Sequence, residues 1–107
     1  MDIKQLAPGL FVGAQIGPDD VATLAAEGFT DVVCNRPDEE HAPGAGSAVI
    51  SGRAAQCGLG FHYLPIRPGE PVEQQAQRLA DLTSRSGAKV FAYCRSGARS
   101  TNAWVLA

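Results

Sequence analysis

Metal-ligand pairs are missing from this sequence. Histidine appears twice, at His41 and His62, and cysteine three times, at Cys34, Cys57 and Cys94, with no Cys-x-x-Cys pair. A zinc site of standard spacing is therefore not expected. An odd cysteine count without local pairing argues against a disulfide framework. No apolar run approaches the ~20 residues of a membrane span. Met1-Asp2-Ile3-Lys4-Gln5 lacks the charged and apolar regions of a signal peptide. An excess of one charge is absent too: nine Lys and Arg stand against eleven Asp and Glu, interspersed, for a net charge of −2. Neither nucleic acid nor membrane is an expected partner, and the cytoplasm is the expected compartment. What remains is an ordinary globular composition over 107 residues, enough for one domain with a core and not for two.

Strand and helix signals alternate along the chain. Leu10-Phe11-Val12-Gly13 reads as a first strand after a Pro8-Gly9 turn. Gly17-Pro18-Asp19-Asp20 opens a helix, with proline in the first turn and acids at the positive end, and Gly28 closes it. Thr30 to Asn35 is a second strand, whose Val32-Val33-Cys34 run suits burial on both faces. Arg36 to Gly46 is a loop at the carboxyl end of that strand, where ligands bind in open α/β sheets. Ser47 suits the N-cap of a helix through Cys57, and Phe61 to Ile66 is a third strand that frays at Pro65 or sits near an edge. Val72, Ala76, Leu79 and Ala80 mark a helix face ending near Ser84, and Lys89 to Tyr93 is the last strand. The pattern predicts an α/β domain, a mostly parallel sheet flanked by helices. The last helix stops at Ala107 while still apolar, so the 1–107 domain is expected to be cut from a longer chain.

The stretch with chemistry is Tyr93-Cys94-Arg95-Ser96-Gly97-Ala98-Arg99-Ser100-Thr101. It predicts a buried strand, a cysteine, a tight loop and a helix whose first turn holds Ser100 and Thr101. A helix N-terminus offers unpaired amides and partial positive charge. Successive amides around a tight loop make an anion nest. A cysteine at its mouth, with Arg95 and Arg99 nearby, is expected to have a lowered pKa and to act as a nucleophile. A cysteine ending a strand is commonly a small core residue, but here Cys, Gly, Arg and Ser fall where an anion loop needs them.

Two families use this design, the cysteine phosphatases and the rhodaneses. Four residues separate Cys94 from Arg99, one fewer than in the phosphatases, and the loop resembles that of a rhodanese in length and in detail. The chain as a whole resembles a bacterial family, the beta-lactamase-hydrolase-like phosphatase domains. The likeness is carried by Leu10 to Gln15, Gly28 to Glu40, Phe61 to Ile66 and the Cys94 loop. It implies a dual-specificity-phosphatase-like fold, with the cysteine loop between the last strand and the last helix. It also implies a link to sulfide oxidation, through fused or neighbouring sulfur-oxidation enzymes. Two departures from a phosphatase stand out: Tyr93 replaces the usual His before the nucleophile, and Arg67-Pro68-Gly69 stands where small phosphatases carry an acidic Asp. Glu70 is the nearest carboxylate.

The short loop and the missing Asp lead to the expectation of a rhodanese-type sulfurtransferase. Cys94 would take sulfane sulfur from thiosulfate or a low-molecular-weight persulfide, a small anionic donor, and pass it to a thiol acceptor. The alternative is a cysteine phosphatase working through a Cys94 phosphoenzyme. No cofactor or metal is expected. Arg99 either holds the anion or clamps loop carbonyls. Arg95, Ser96, Gly97 and Ala98 line the loop, Arg95 facing solvent or the mouth. Ser96 and Ser100 are candidate donors to the Cys94 sulfur, Ser100 alternatively capping the helix. Arg36 either reaches the pocket or pairs at the surface with Asp38 or Glu39. Cys34 and Cys57 read as core residues rather than resolving thiols.

Overall fold

The computed structural model describes residues 1–42 and 46–106. Pro43, Gly44 and Ala45 of the expected loop, and Ala107 of the expected last helix, lie outside the described residues. In chain order the elements are β1 (Ile3–Ala7), β2 (Leu10–Gly13), α1 (Pro18–Ala26), β3 (Asp31–Cys34), a 3-10 turn (Asp38–Glu40), α2 (Ser47–Gln56), β4 (Gly60–Tyr63), α3 (Glu73–Thr83), β5 (Val90–Tyr93) and α4 (Ala98–Val105). The sheet runs β1-β2-β5-β3-β4. Its β2, β5, β3 and β4 are parallel, and β1 is antiparallel to β2. The α/β architecture, the mostly parallel sheet and the edge position of the strand before Pro65 agree with the reading of the sequence.

β5 is the axis of the molecule. Its four residues are at most 1% exposed. The two-residue strand period sends Phe91 and Tyr93 to one face, where Val21, Leu24 and Ile50 of α1 and α2 close over them. Val90 and Ala92 face Leu79, Leu82 and Ala103 of α3 and α4. α3 places Ala76, Leu79 and Leu82 on one buried stripe at helical spacing. α1 begins as its sequence dictates: Pro18 occupies the first turn and the Asp20 carboxylate accepts from the Gly17 amide at 2.9 Å.

Two local expectations change. The N-terminal residues form β1, an edge strand that pairs Ile3 with Gly13 and Lys4 with Val12. β4 ends at Tyr63 rather than Ile66, because Pro65 has no N–H to continue the ladder. The Leu64 and Ile66 amides still reach the carbonyls of Cys34 and Asn35, each at 2.9 Å. α4 begins at Ala98, so Ser100 and Thr101 lie in its first turn, as expected, together with Arg99. Among the described residues no helix is long and apolar enough to cross a membrane, and no group of His, Cys, Asp or Glu is placed to hold a metal.

Candidate active site

The site hangs from the carboxyl end of β5. Tyr93 is tied to the neighbouring strand end, its carbonyl accepting from the Asn35 amide at 2.7 Å. Cys94 follows and is 1% exposed. Gly97, with φ of +96°, turns the chain into α4. That conformation suits glycine, and a side chain there would also lie 3.4 Å from the backbone of Gly13. The turn aims amides back at the sulfur. The Gly97 N–H donates to Cys94 Sγ at 3.0 Å. Burial pushes the Cys94 thiol up, but the backbone amides of Ser100, Ser96, Arg99 and Gly97 together outweigh it and hold the thiol below its ordinary value. The Ala98 amide turns instead to the Ser96 hydroxyl at 3.4 Å.

Ser100 is a correction in detail. Its backbone N–H serves the sulfur, whereas its hydroxyl donates to Asn35 Oδ1 at 2.8 Å, fully buried. Asn35 in turn donates to the Leu64 carbonyl at 2.8 Å. This relay fastens the first turn of α4 to the ends of β3 and β4. The Ser96 hydroxyl likewise accepts from Ala98, and it is the Ser96 amide that faces the sulfur.

Arg99 joins the Cys94 loop to two other segments while staying within reach of the Cys94 sulfur. Its guanidinium holds Glu40 in a two-point pair, at 2.6 and 2.8 Å, and also donates to the Ile66 carbonyl at 3.1 Å. The pair holds the Glu40 carboxyl below its ordinary value and raises Arg99 further. Arg36 does not pair with Asp38 or Glu39. It donates to Gln15 Oε1 at 3.2 Å and to the Glu40 carbonyl at 3.1 Å, with the Glu40 carboxylate 3.5 Å away. Arg36 thus braces the residue that braces Arg99. Arg95 is exposed, and its carbonyl accepts from the Gln15 amide at 3.3 Å.

Glu40, Asn35 and Gln15 were absent from the sequence-derived site. Asn35 had a signal, being a polar residue at the end of an apolar strand. Glu40 had a weaker one, the acidic run Asp38-Glu39-Glu40 leaving a strand's ligand-binding end. Cys34 is a core residue: it is buried, its thiol donates to the Arg36 carbonyl at 3.3 Å, and burial pushes its pKa up. A cavity of about 580 Å³ flanks the loop between β1, β2 and α4. Ser96, Gly97 and Ala98 line it and Cys94 does not, so it is a neighbour of the nest rather than its mouth.

Similarity to known proteins follows the whole chain. A beta-lactamase hydrolase-like protein of Agrobacterium fabrum is 25% identical over 87 residues, covering 81% of this chain and 20% of its own length. The chain thus spans about a fifth of that curated relative. Among solved structures, a phosphatase candidate from Neisseria meningitidis superposes with a TM-score of 0.80 at 29% identity, over 94% of this chain and 71% of that one. A phosphatase candidate from Shewanella putrefaciens gives 0.78 at 19% identity, over 96% and 64%.

These likenesses overturn the expected sulfurtransferase. The relatives are phosphatase-like, and rhodanese chemistry on thiosulfate or a persulfide is not what they support. The error lay in reading loop length as chemistry. Gly97 turns so tightly that the short loop keeps its converging amides. A sulfonate and a phosphoryl group are both tetrahedral anions, so such a nest selects charge and shape, not sulfur over phosphorus. The family described as beta-lactamase hydrolase-like protein, phosphatase-like domain, matches residues 2–107, and this chain belongs to it.

Proposed function

We propose that this chain is a cysteine-dependent phosphatase working through a Cys94 phosphoenzyme. The observation that carries the reading is the set of backbone amides, from Ser96, Gly97, Arg99 and Ser100, converging on a buried thiol at the start of α4. Membership of a phosphatase-like family supports it.

Cys94 attacks phosphorus as its thiolate, the form that the loop amides favour. The P–S bond forms as the P–O bond to the leaving group breaks, and the leaving oxygen keeps the electron pair. Charge on the transferring group's oxygens is met by the loop amides, which are fixed in place before reaction. Arg99 carries five N–H donors. Three are engaged with Glu40 and Ile66, so the rest are available to the same oxygens. Water then attacks the phosphocysteine, the P–S bond breaks, and thiolate and inorganic phosphate separate with the water's proton released to solvent. Glu40 and Arg36 act as positioning residues for Arg99. A reactive thiolate is safest in a reducing compartment, which supports the cytoplasm as the place of action.

The test is phosphate release from 4-nitrophenyl phosphate by the wild type and Cys94→Ser, with intact mass measured after rapid acid quench. Release that disappears in the variant, with one phosphate trapped on Cys94, is expected. Release that persists in Cys94→Ser would remove the nucleophile from the proposal.

A further inference from the structure

We infer that the substrates are phosphoryl compounds whose leaving group departs as a stable anion, aryl phosphates and phosphoanhydrides, rather than alkyl phosphates. The inference rests on the phosphatase reading and narrows it.

A phosphoryl acceptor cysteine supplies half of an ester hydrolysis. The other half is the departure of an alcohol, which a neutral acid ordinarily assists. Such an acid must reach the leaving oxygen and must carry a proton. The chain has eleven side-chain carboxylates, and those of the segments after β3 and β4 are engaged as follows. Asp38 caps α2, its two oxygens accepting from the Ser47 amide at 2.6 Å and the Ser47 hydroxyl at 2.9 Å. Glu39 is held by Arg67 through two hydrogen bonds, at 2.5 and 3.1 Å. Glu40 is held by Arg99 in the same two-point manner. Both glutamates sit below their ordinary pKa because of these arginine bonds, so neither carries a proton at neutral pH.

Glu70, the carboxylate closest in sequence to the usual acid position, is exposed and lies 3.9 Å from Arg67. Asp31 is at the far end of β3, against His62 and Arg85. Asp2 lines the flanking cavity that Cys94 does not reach. His41, beside Glu40 in sequence, lines a hollow with Ala42, Ser47 and Val49, toward α2 and away from the Cys94 loop. The loop after β4 therefore offers no free acid: its Arg67 is paired with Glu39 and lies 3.9 Å from Glu70. Exposed Arg95, next to Cys94, adds positive charge beside the site.

Such a surround favours a departing anion and does not protonate it. A phenolate leaves from a group whose pKa is about 10, as in tyrosine. An alkoxide is a far stronger base, closer to hydroxide. Acid assistance is worth about 10²–10⁴ in rate, and its loss falls on the alkyl esters.

The experiment is kcat/KM on a series of substituted phenyl phosphates, acetyl phosphate and phosphoserine. It uses the full chain, its Cys94→Ser variant and its Glu70→Gln variant. The ratio kcat/KM reports the phosphoryl-transfer step regardless of how fast the phosphocysteine is hydrolysed. The expected result is a steep fall with rising leaving-group pKa, acetyl phosphate among the fast substrates, phosphoserine at least ~10²-fold below phenyl phosphate, and no change in Glu70→Gln. A flat dependence with phosphoserine comparable to phenyl phosphate would overturn the inference while leaving the phosphatase reading intact. Loss of phosphoserine turnover alone in Glu70→Gln would overturn it too, and name Glu70 as the acid. No Cys94-dependent phosphate from any compound would overturn the phosphatase reading, and this inference with it.

Discussion

Removing the Ser100 hydroxyl separates two jobs that one residue performs. Its backbone amide faces the Cys94 sulfur, and its hydroxyl donates to Asn35 across 2.8 Å. Ser100 and Asn35 are 0% and 1% exposed, so water does not replace the lost donor. Ser100→Ala leaves the Asn35 oxygen buried without its partner, at a cost of about 1–3 kcal/mol. In a domain of about this size a loss near 2 kcal/mol lowers Tm by about 8–16 °C. The amide is untouched, so the thiol keeps its lowered pKa. The assay pairs thermal unfolding with the pH dependence of Cys94 alkylation by iodoacetamide, read below the variant's Tm. The expected outcome is a large fall in Tm with an unmoved alkylation profile. An unchanged Tm with a thiol pKa shifted upward would refute the reasoning. It would mean that the hydroxyl serves the sulfur and that the Asn35 relay carries little stability.

Four further outcomes follow from the same geometry. Gly97→Ala forces an ordinary residue to a φ of +96°, a strain of about 1–3 kcal/mol, and disperses the amides; the alkylation profile should move to higher pH and phosphatase activity should fall. The acid limb of kcat/KM in the wild type should follow Cys94: protonated thiol is inactive, thiolate is active, and the lowered thiol pKa puts the plateau below the ordinary value of 9.0. Glu40→Gln should lower kcat by about 10–10² through misplacement of Arg99 while changing stability by less than ~1 kcal/mol, measured by steady-state kinetics and urea unfolding. Burial raises the Asp31 carboxyl, but hydrogen bonds from His62, Thr30 and Arg85 bring it below its ordinary 3.8; its contribution is present above that value and lost as pH falls through the lower folded one. Arg85→Ala should therefore raise the midpoint of acid unfolding, followed by circular dichroism.

The sequence disclosed those parts whose causes are local. An unbroken apolar run marks β5, because a strand buried on both faces has no polar alternation to keep. The nest was legible because Gly97 and the first-turn residues of α4 lie within a few positions of Cys94. β1 was not, since Ile3-Lys4-Gln5-Leu6-Ala7 is short and becomes a strand only by pairing across the Pro8-Gly9 turn with β2. Glu40 meets Arg99 across 59 positions, and nothing near either residue names the other. Ser100 reads from the sequence as a donor to the sulfur or a helix cap; its amide takes the first role, but its hydroxyl bonds an Asn35 that is 65 positions away and that no local signal names. The expected chemistry erred for a related reason: loop length is local, but what an anion nest prefers depends on amide directions set by the turn.

The attachment of Cys94 to β5 has a consequence for how the domain changes. A strand with both faces covered opens only when the sheet itself comes apart, so its amides should exchange with solvent at the rate of global unfolding. The reacting group is thus anchored where the molecule is least deformable. The surrounding residues differ: Arg36, Glu39, Glu40 and Arg67 sit on surface connections and are held chiefly by charge. Salt and substitution reach those contacts easily, and the core does not depend on them. Selectivity can therefore be retuned at the rim one arginine or glutamate at a time, with the reactive loop carried along unaltered.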